Sequence, residues 1–277
     1  MRKMKKMRLL ATVLLISLIT FGAAGATSAA GAQGSRLTGF AGPARDTGAL
    51  HGAHGTGPAY MSRNWDGYIT YDSSEGTDFD VVKAEWTQPT VTCPKPSAWT
   101  VFWVGLDGWY DDTVEQGGTS AQCVDGVPQY MAWWEMYPTN AITTVFSVNP
   151  GDKISASVVY EPSTQKFQIT VTDLTTGQSL SKDKSCASDL TCSRSSVDVI
   201  TEDVGHFGSD SFFPLADYGT MKYKSASITD VSDNVGGISD SNWSHGSVTE
   251  ESGGVTYATV SGLNSSGNGF ETTWQHK

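Results

Sequence analysis

From Asn64 onward no stretch of the chain keeps the 3.6-residue apolar period of a helix, and the sequence breaks instead into short alternating or β-branched runs. These runs cover Gly67 to Tyr71, Phe79 to Thr87, Thr100 to Leu106, Tyr130 to Tyr137, Lys153 to Tyr160, Lys166 to Asp173, Val197 to Glu202, Thr220 to Ile228 and Val255 to Val260. Turn sequences such as Pro150-Gly151-Asp152 and Thr175-Thr176-Gly177 separate them. A pattern of this kind can bury its apolar faces only by packing sheet on sheet. It predicts an all-β chain without long helices, an antiparallel β-sandwich of two large packed sheets with about half a dozen strands in each. No repeat of 20 to 50 residues is visible, which argues against a propeller.

The first 63 residues of the chain have a different character. Met1 to Arg8 carry five basic residues, Leu9 to about Ala24 are apolar, and Ser28-Ala29-Ala30 and Ala30-Gly31-Ala32 offer small-residue cleavage sites. Residues 1–32 therefore read as a secretory signal peptide; the apolar run is too short for a comfortable membrane span. Residues 33–63 are rich in Gly and Ala, carry Arg36, Arg45, His51, His54 and Arg63 against the single acid Asp46, and hold too few large apolar residues to pack a core. They read as a short propeptide or linker ahead of a single sandwich domain, residues 64–277.

Charge narrows the partners. The whole chain of 277 residues has a formal charge of −11, but from Asn64 onward 28 acidic residues stand against 10 basic ones, a charge of about −18. So acidic a body is a poor nucleic-acid binder and is repelled by anionic membranes, and protonation in acid relieves its self-repulsion. The four cysteines, Cys93, Cys123, Cys186 and Cys192, suit two disulfides in an exported chain. Three pairings are open, of which Cys93 with Cys123 and Cys186 with Cys192 is favoured here. No Cys-x-x-Cys or histidine cluster suggests a metal, and no cofactor motif is present.

Familiar hydrolase signatures fail one by one. Asp46-Thr47-Gly48 spells the aspartic-peptidase motif, but it occurs once, and that chemistry needs two such aspartates sharing a proton. There is no Gly-x-Ser-x-Gly elbow and no His-Glu-x-x-His, and His206, His245 and His276 are scattered. An amide and a carboxyl are left, Gln116 in Val114-Glu115-Gln116 and Glu202 in Val199-Ile200-Thr201-Glu202-Asp203. Alternation on a strand sends Glu115 and Gln116 to opposite faces and places Asp198, Ile200 and Glu202 on one face.

Six blocks then occur in a telling order: Asn64-Trp65-Asp66-Gly67-Tyr68, Phe102-Trp103-Val104-Gly105-Leu106-Asp107-Gly108, Val114-Glu115-Gln116, Ala132-Trp133-Trp134-Glu135-Met136-Tyr137-Pro138, Val199-Ile200-Thr201-Glu202-Asp203 and Pro214-Leu215-Ala216-Asp217-Tyr218-Gly219. In this order they resemble the glutamic peptidases, or eqolisins, from Asn64 to about Ile228. The resemblance implies a secreted, acid-acting endopeptidase on a sandwich of concanavalin A-like or jelly-roll-like type, with a cleft across one concave face. Its catalytic pair maps onto Gln116 and Glu202. The carboxylate would take a proton from water and return it to the leaving amine, and the amide NH2 would stabilise the oxyanion. By the same resemblance Trp65, Trp103, Asp107, Trp133 and Glu135 line the cleft or orient the pair, although core packing is an equally good role for the tryptophans. The chain departs from fungal members at Thr119-Ser120 and at Val204, which bears on subsites and cleavage preference.

The expected partners are protein or peptide substrates of an extracellular monomer, with no nucleic acid, no membrane after signal cleavage, no cofactor and no metal. The alternative is a carbohydrate-active sandwich, a glycosidase using Glu135 and Glu202 or a lectin using the cleft alone. Gln116 has no part in such a mechanism.

Overall fold

The computed structural model describes residues 38–45, 47–49, 57–72 and 78–275, and every regular element among them is a strand. The early strands are β1 (Gly39–Phe40), β2 (Gly48–Ala49), β3 (Ala59–Ser62), β4 (Trp65–Tyr71), β5 (Phe79–Thr87) and β6 (Ala98–Leu106). The middle of the chain gives β7 (Val114–Val124), β8 (Val127–Tyr137), β9 (Thr143–Ser147), β10 (Lys153–Glu161), β11 (Lys166–Asp173), β12 (Ser179–Lys184) and β13 (Ser196–Asp203). The remainder are β14 (Gly205–His206), β15 (Thr220–Asp230), β16 (Val235–Gly236), β17 (Ser244–Ser252), β18 (Val255–Val260) and β19 (Phe270–Trp274).

Pairing joins most of these into one antiparallel ladder. It runs β9, β8, β7, β6, β13, β4, β17, β18, β19, β15, β5, β10, β11, β12. The ladder folds back on itself, so that its two halves face each other as the layers of a β-sandwich. Among the described residues only β3 joins in parallel, along β17. Between the halves lies the main core, with Trp86, Phe102, Val104, Leu106, Ile154, Ile169, Val197 and Val199 among its buried members. Each such side chain contributes about 1.5–3 kcal/mol by leaving water.

A second apolar cluster covers the opposite face of the β4–β13–β6–β7–β8 half: Trp65, Ile69, Trp99, Val101, Trp103, Trp133 and Ile200. Alternation accounts for the division. Val197 and Val199 of β13 point into the sandwich and Ile200 away from it, and on β8 Trp134 points in while Trp133 points out.

All nine runs read as strands from the sequence lie in strands, whereas β7, β9, β12, β17 and β19 were not among them. The omission of β7 is instructive, because its Gly117-Gly118 pair weakens any strand signal. The glycines are needed for close approach. A Cβ on Gly117 would lie 2.5 Å from Ile169 Cγ2 of the facing layer, and one on Gly118 would lie 1.9 Å from the Phe102 carbonyl oxygen.

Cys93 pairs with Cys123 and Cys186 with Cys192, the favoured pattern. The stretch read as propeptide or linker packs no core of its own but lends strands to the body, with β3 on β17 and β1 on β14. The signal segment, Asp46 of the lone aspartic-peptidase motif, His51, His54 and His276 lie outside the described residues.

Candidate active site

Strand register assembles the site from five neighbours in one sheet. Glu202 of β13 stands opposite Trp65 of β4 and Val101 of β6, and Gln116 of β7 stands opposite Gly105 of β6 and Glu135 of β8. Between these two rows runs a third, Ile200, Trp103, Gly118 and Trp133, whose bulky members form an apolar floor with Gly118 as its gap. Gln116 and Glu202 thus share a face, two strands apart, and both are fully buried.

What buries them is the chain itself. Residues Gly39 to Arg45 cross this face as a strap, and nearly every backbone group along it is held. The Ile142 amide donates to the Gly39 carbonyl at 3.2 Å, the Ala41 amide donates to Glu135 Oε2 at 3.0 Å, and Trp65 Nε1 donates to the Gly42 carbonyl at 2.9 Å. Asn64 Nδ2 donates to the Pro43 carbonyl at 3.1 Å, and the Arg45 amide donates to Asn64 Oδ1 at 2.8 Å. At the centre, Gln116 Nε2 donates to the carbonyl oxygen of Ala41, and the amide of Gly42 donates to Glu202 Oε1 at 3.0 Å. The amide and the carboxyl therefore grip the two ends of one peptide bond, Ala41–Gly42.

Glu202 has further donors, Asn64 Nδ2 to Oε1 at 3.0 Å and Trp103 Nε1 to Oε2 at 2.9 Å. Burial under the strap pushes its pKa well above the usual carboxylic range, and the bonds from Asn64, Gly42 and Trp103 pull it back toward the ionised form. Glu135 is also raised, by burial first, with the Ala41 amide opposing and the charge of Glu202 adding a smaller upward push. Its Oε2 lies 3.4 Å from Gln116 Nε2, so it steers the amide whose NH2 faces the Ala41 carbonyl. The arrangement can polarise a peptide carbonyl from one side and offer a carboxyl to its nitrogen from the other.

Of the other residues expected in the site, Trp65, Trp103 and Trp133 lie in the floor cluster, and Trp65 meets Trp103 edge to face at 5.1 Å. Asp107 lies elsewhere. Its Oδ1 accepts from the Ser195 amide at 2.7 Å, and it is grouped with Glu115 and Asp198, not with Gln116 or Glu202. The residue after β6 must turn, and Asp107 does so with a φ of 69°.

Two contributors were not singled out from the sequence. Asn64 bonds both Glu202 and the strap, and its place beside Trp65 in the first of the six blocks was the available signal. Tyr137 meets Phe40 of the strap edge to face, with ring centroids 5.6 Å apart, and precedes the proline that ends the Trp-Trp-Glu-Met-Tyr-Pro block. The departing residues also find partners: Thr119 accepts from Trp86 Nε1 at 2.9 Å inside the sandwich, and Val204 lies against the strap at Gly39.

The chain resembles known proteins in both sequence and fold. The chain is 31% identical over 179 residues to scytalidopepsin B of Scytalidium lignicola, covering 62% of this chain and 65% of that protein. It is 28% identical over 207 residues to aspergillopepsin-2 of Aspergillus niger, covering 66% of this chain and 70% of the relative. The match to scytalidopepsin B thus spans slightly less than two thirds of that protein's length. Among solved structures, scytalido-glutamic peptidase with a transition state analog inhibitor superposes with a TM-score of 0.64 at 26% identity, covering 77% of this chain and 98% of that one. Aspergilloglutamic peptidase from Aspergillus niger gives a TM-score of 0.54 at 27% identity, covering 64% and 99%. The sequence profile of the peptidase A4 family matches residues 63–267, which include Gln116, Glu135 and Glu202, and the chain belongs to that family.

Proposed function

We propose that the protein is a secreted endopeptidase that hydrolyses peptide bonds in acid, with Gln116 and Glu202 as its catalytic pair. The observation that carries this reading is the convergence of both side chains on a single peptide bond, Gln116 on its carbonyl oxygen and Glu202 on its nitrogen. Family membership supports peptide hydrolysis, and two disulfides suit an oxidising compartment.

The chemistry follows from the positions. Glu202, ionised, takes a proton from a water attacking the carbonyl carbon. Negative charge then gathers on the carbonyl oxygen, where Gln116 Nε2 already points. Glu202, now protonated and 3.0 Å from the amide nitrogen, gives the proton to the leaving amine as the C–N bond breaks. Gln116 cannot ionise, so it donates at any working pH and adds no second negative charge beside Glu202.

Acid working conditions are a matter of the scaffold more than of the pair. Raised pKa values at Asp66, Asp107, Glu115, Asp198 and Glu250, all led by burial, mean that these groups are neutral in acid and must ionise inside the protein as pH rises. The upper edge of activity is therefore set by unfolding, the lower edge by protonation of Glu202.

The test is an assay of the secreted protein on an unfolded protein and on a polysaccharide, side by side, from pH 2 to 7. Peptide cleavage that vanishes in Glu202→Gln is expected. Sugar release without peptide cleavage, or cleavage unchanged in Glu202→Gln, would remove the reading.

A further inference from the structure

We propose that residues Gly39 to Ala44 are an internal substrate, and that Ala41–Gly42 is the bond the protein cuts in its own maturation. The inference rests on the peptidase reading of the site and adds the bond, the subsites and the fate of the flanking segments. A strap that merely covered a cleft could cross it at any register. This one is held in register beside the short strand β14, with Gly39 opposite His206 and Phe40 opposite Gly205, the two forming a small sheet of their own as an extended peptide and its receptor strand do. In that register the only peptide bond with Gln116 on its oxygen and Glu202 on its nitrogen is Ala41–Gly42.

The step balances with water alone. Water's hydroxyl adds to the Ala41 carbonyl carbon, its proton passes to Glu202, and the same proton moves to the Gly42 nitrogen as the bond breaks. The products are a carboxyl terminus at Ala41 and an amino terminus at Gly42. Holding the bond within the folded chain makes the reaction unimolecular, the situation in which orientation contributes most to rate.

The two sides of the cut are anchored unequally. N-terminal to it, Gly39 to Ala41 hold by two residues of pairing with β14, by hydrogen bonds to Ile142, Glu135 and Gln116, and by the Phe40 ring, stacked on exposed Phe207 at 5.2 Å, with no strand of the main sheet among their pairings. C-terminal to it, Arg45 is tied to Ser62, Arg63 and Asn64, and β3 is part of the body sheet. Cleavage therefore frees the segment ending at Ala41 and leaves residues 42–63 attached.

The strap also reports what the cleft selects. Phe40, two residues before the cut, sits between Tyr137 and Phe207, which marks an aromatic-binding position. One residue earlier, a Cβ on Gly39 would lie 2.5 Å from Val204 Cγ1 and 2.8 Å from the Gly205 carbonyl, so this position takes glycine. At Gly42 a Cβ would lie 3.2 Å from the Tyr137 ring, close enough to favour glycine or alanine after the cut.

The experiment uses the full secreted chain, incubated at a series of pH values from 3 to 7 so that the ionised form of buried Glu202 is sampled, with terminal residues read by mass spectrometry over time. A single new amino terminus at Gly42 is expected, forming at a rate independent of protein concentration and absent in Glu202→Gln. Gly42→Pro, which removes the amide that faces Glu202, should block this cut. A synthetic peptide spanning residues 37–47 should be cut by activated protein at the same bond, at least tenfold more slowly when Phe40 is Asp. Activity on an unfolded protein accompanied by a first cut at any other bond, or by failure to cut the peptide between Ala41 and Gly42, overturns the inference and leaves the peptidase reading standing. Absence of cleavage in every substrate, the chain's own strap included, overturns both.

Discussion

Two groups of buried carboxyls in the β4–β13–β6–β7–β8 half are raised by the same cause and equipped differently. Around Glu202, donors are aimed at the oxygens: Asn64, Trp103 and the Gly42 amide. Around Glu115, neighbours are mostly other acids; burial raises it first, then the charge of Asp107, the hydrogen bond that protonated Glu115 donates to Asp107, and the charges of Asp111 and Asp198. Burial alone produces a neutral carboxyl, as in the second group. Burial with directed donors produces a carboxyl that can change its charge during a reaction, as in the first. The position of a group in the register decides which it is, since Glu115 and Gln116 are adjacent in sequence and serve on opposite sides of β7.

The largest expected contrast is catalytic. Glu202→Gln should lower kcat/KM on an unfolded protein by about 10²–10⁴ and Gln116→Ala by about 10²–10³, with kcat carrying the loss, while Glu115→Gln stays within a few-fold of the parent. A loss in Glu115→Gln as deep as in Glu202→Gln, with the fold intact by circular dichroism, would erase the distinction.

Next comes stability. The Asp107 pKa is raised to about 7 by burial first and Asp111 second. A raised carboxyl contributes stability fully present below its unfolded value near 4 and lost as pH rises through the folded value. For Asp107 that amounts to about 4 kcal/mol across the interval. The melting temperature should therefore fall between pH 4 and 8, and the double variant Asp107→Asn, Glu115→Gln should flatten that slope. Thermal melts at several pH values check it; an equally steep slope in the variant would place the sensitivity elsewhere.

A smaller effect concerns the cover of the second group. The loop closed by Cys186 and Cys192 runs into Ser195, which caps Asp107. Replacing both cysteines with alanine should cost about 2 kcal/mol for so short a loop and steepen the loss of stability above pH 6. Denaturant titration at pH 4 and pH 7 separates the two parts.

The smallest change is in Trp103→Phe. It removes one donor that holds Glu202 in its charged form, so the acid limb of the pH–rate profile should move up by about one unit while the melting temperature at pH 4 changes little. An unmoved limb would mean that Trp103 only packs.

Much of this was readable without coordinates, for a physical reason: period two reports directly on sheet faces. The placement of Trp133 and Trp134 on opposite sides, and of Ile200 on the face of Glu202, follows from alternation. Glycines defeat the same signal. Gly117 and Gly118 hid β7, the strand that carries Gln116, because their role is to admit Ile169 and the Phe102 carbonyl. Asp107 was expected near the pair from its block, but a turn after β6 directs it to Ser195.

The sequence by itself determined an all-β chain, the cysteine pairs as a favoured pattern and the residue types able to do the chemistry, since periodicity, spacing and functional groups are local properties. It could not determine that Gln116 and Glu202 face one bond, because their rows are joined only through β6 and the pairing of distant strands. Nor could it show that a Gly- and Ala-rich segment lies across them. A strap held by backbone groups leaves little mark on side-chain pattern, and only the tertiary structure supplies the partners that hold it.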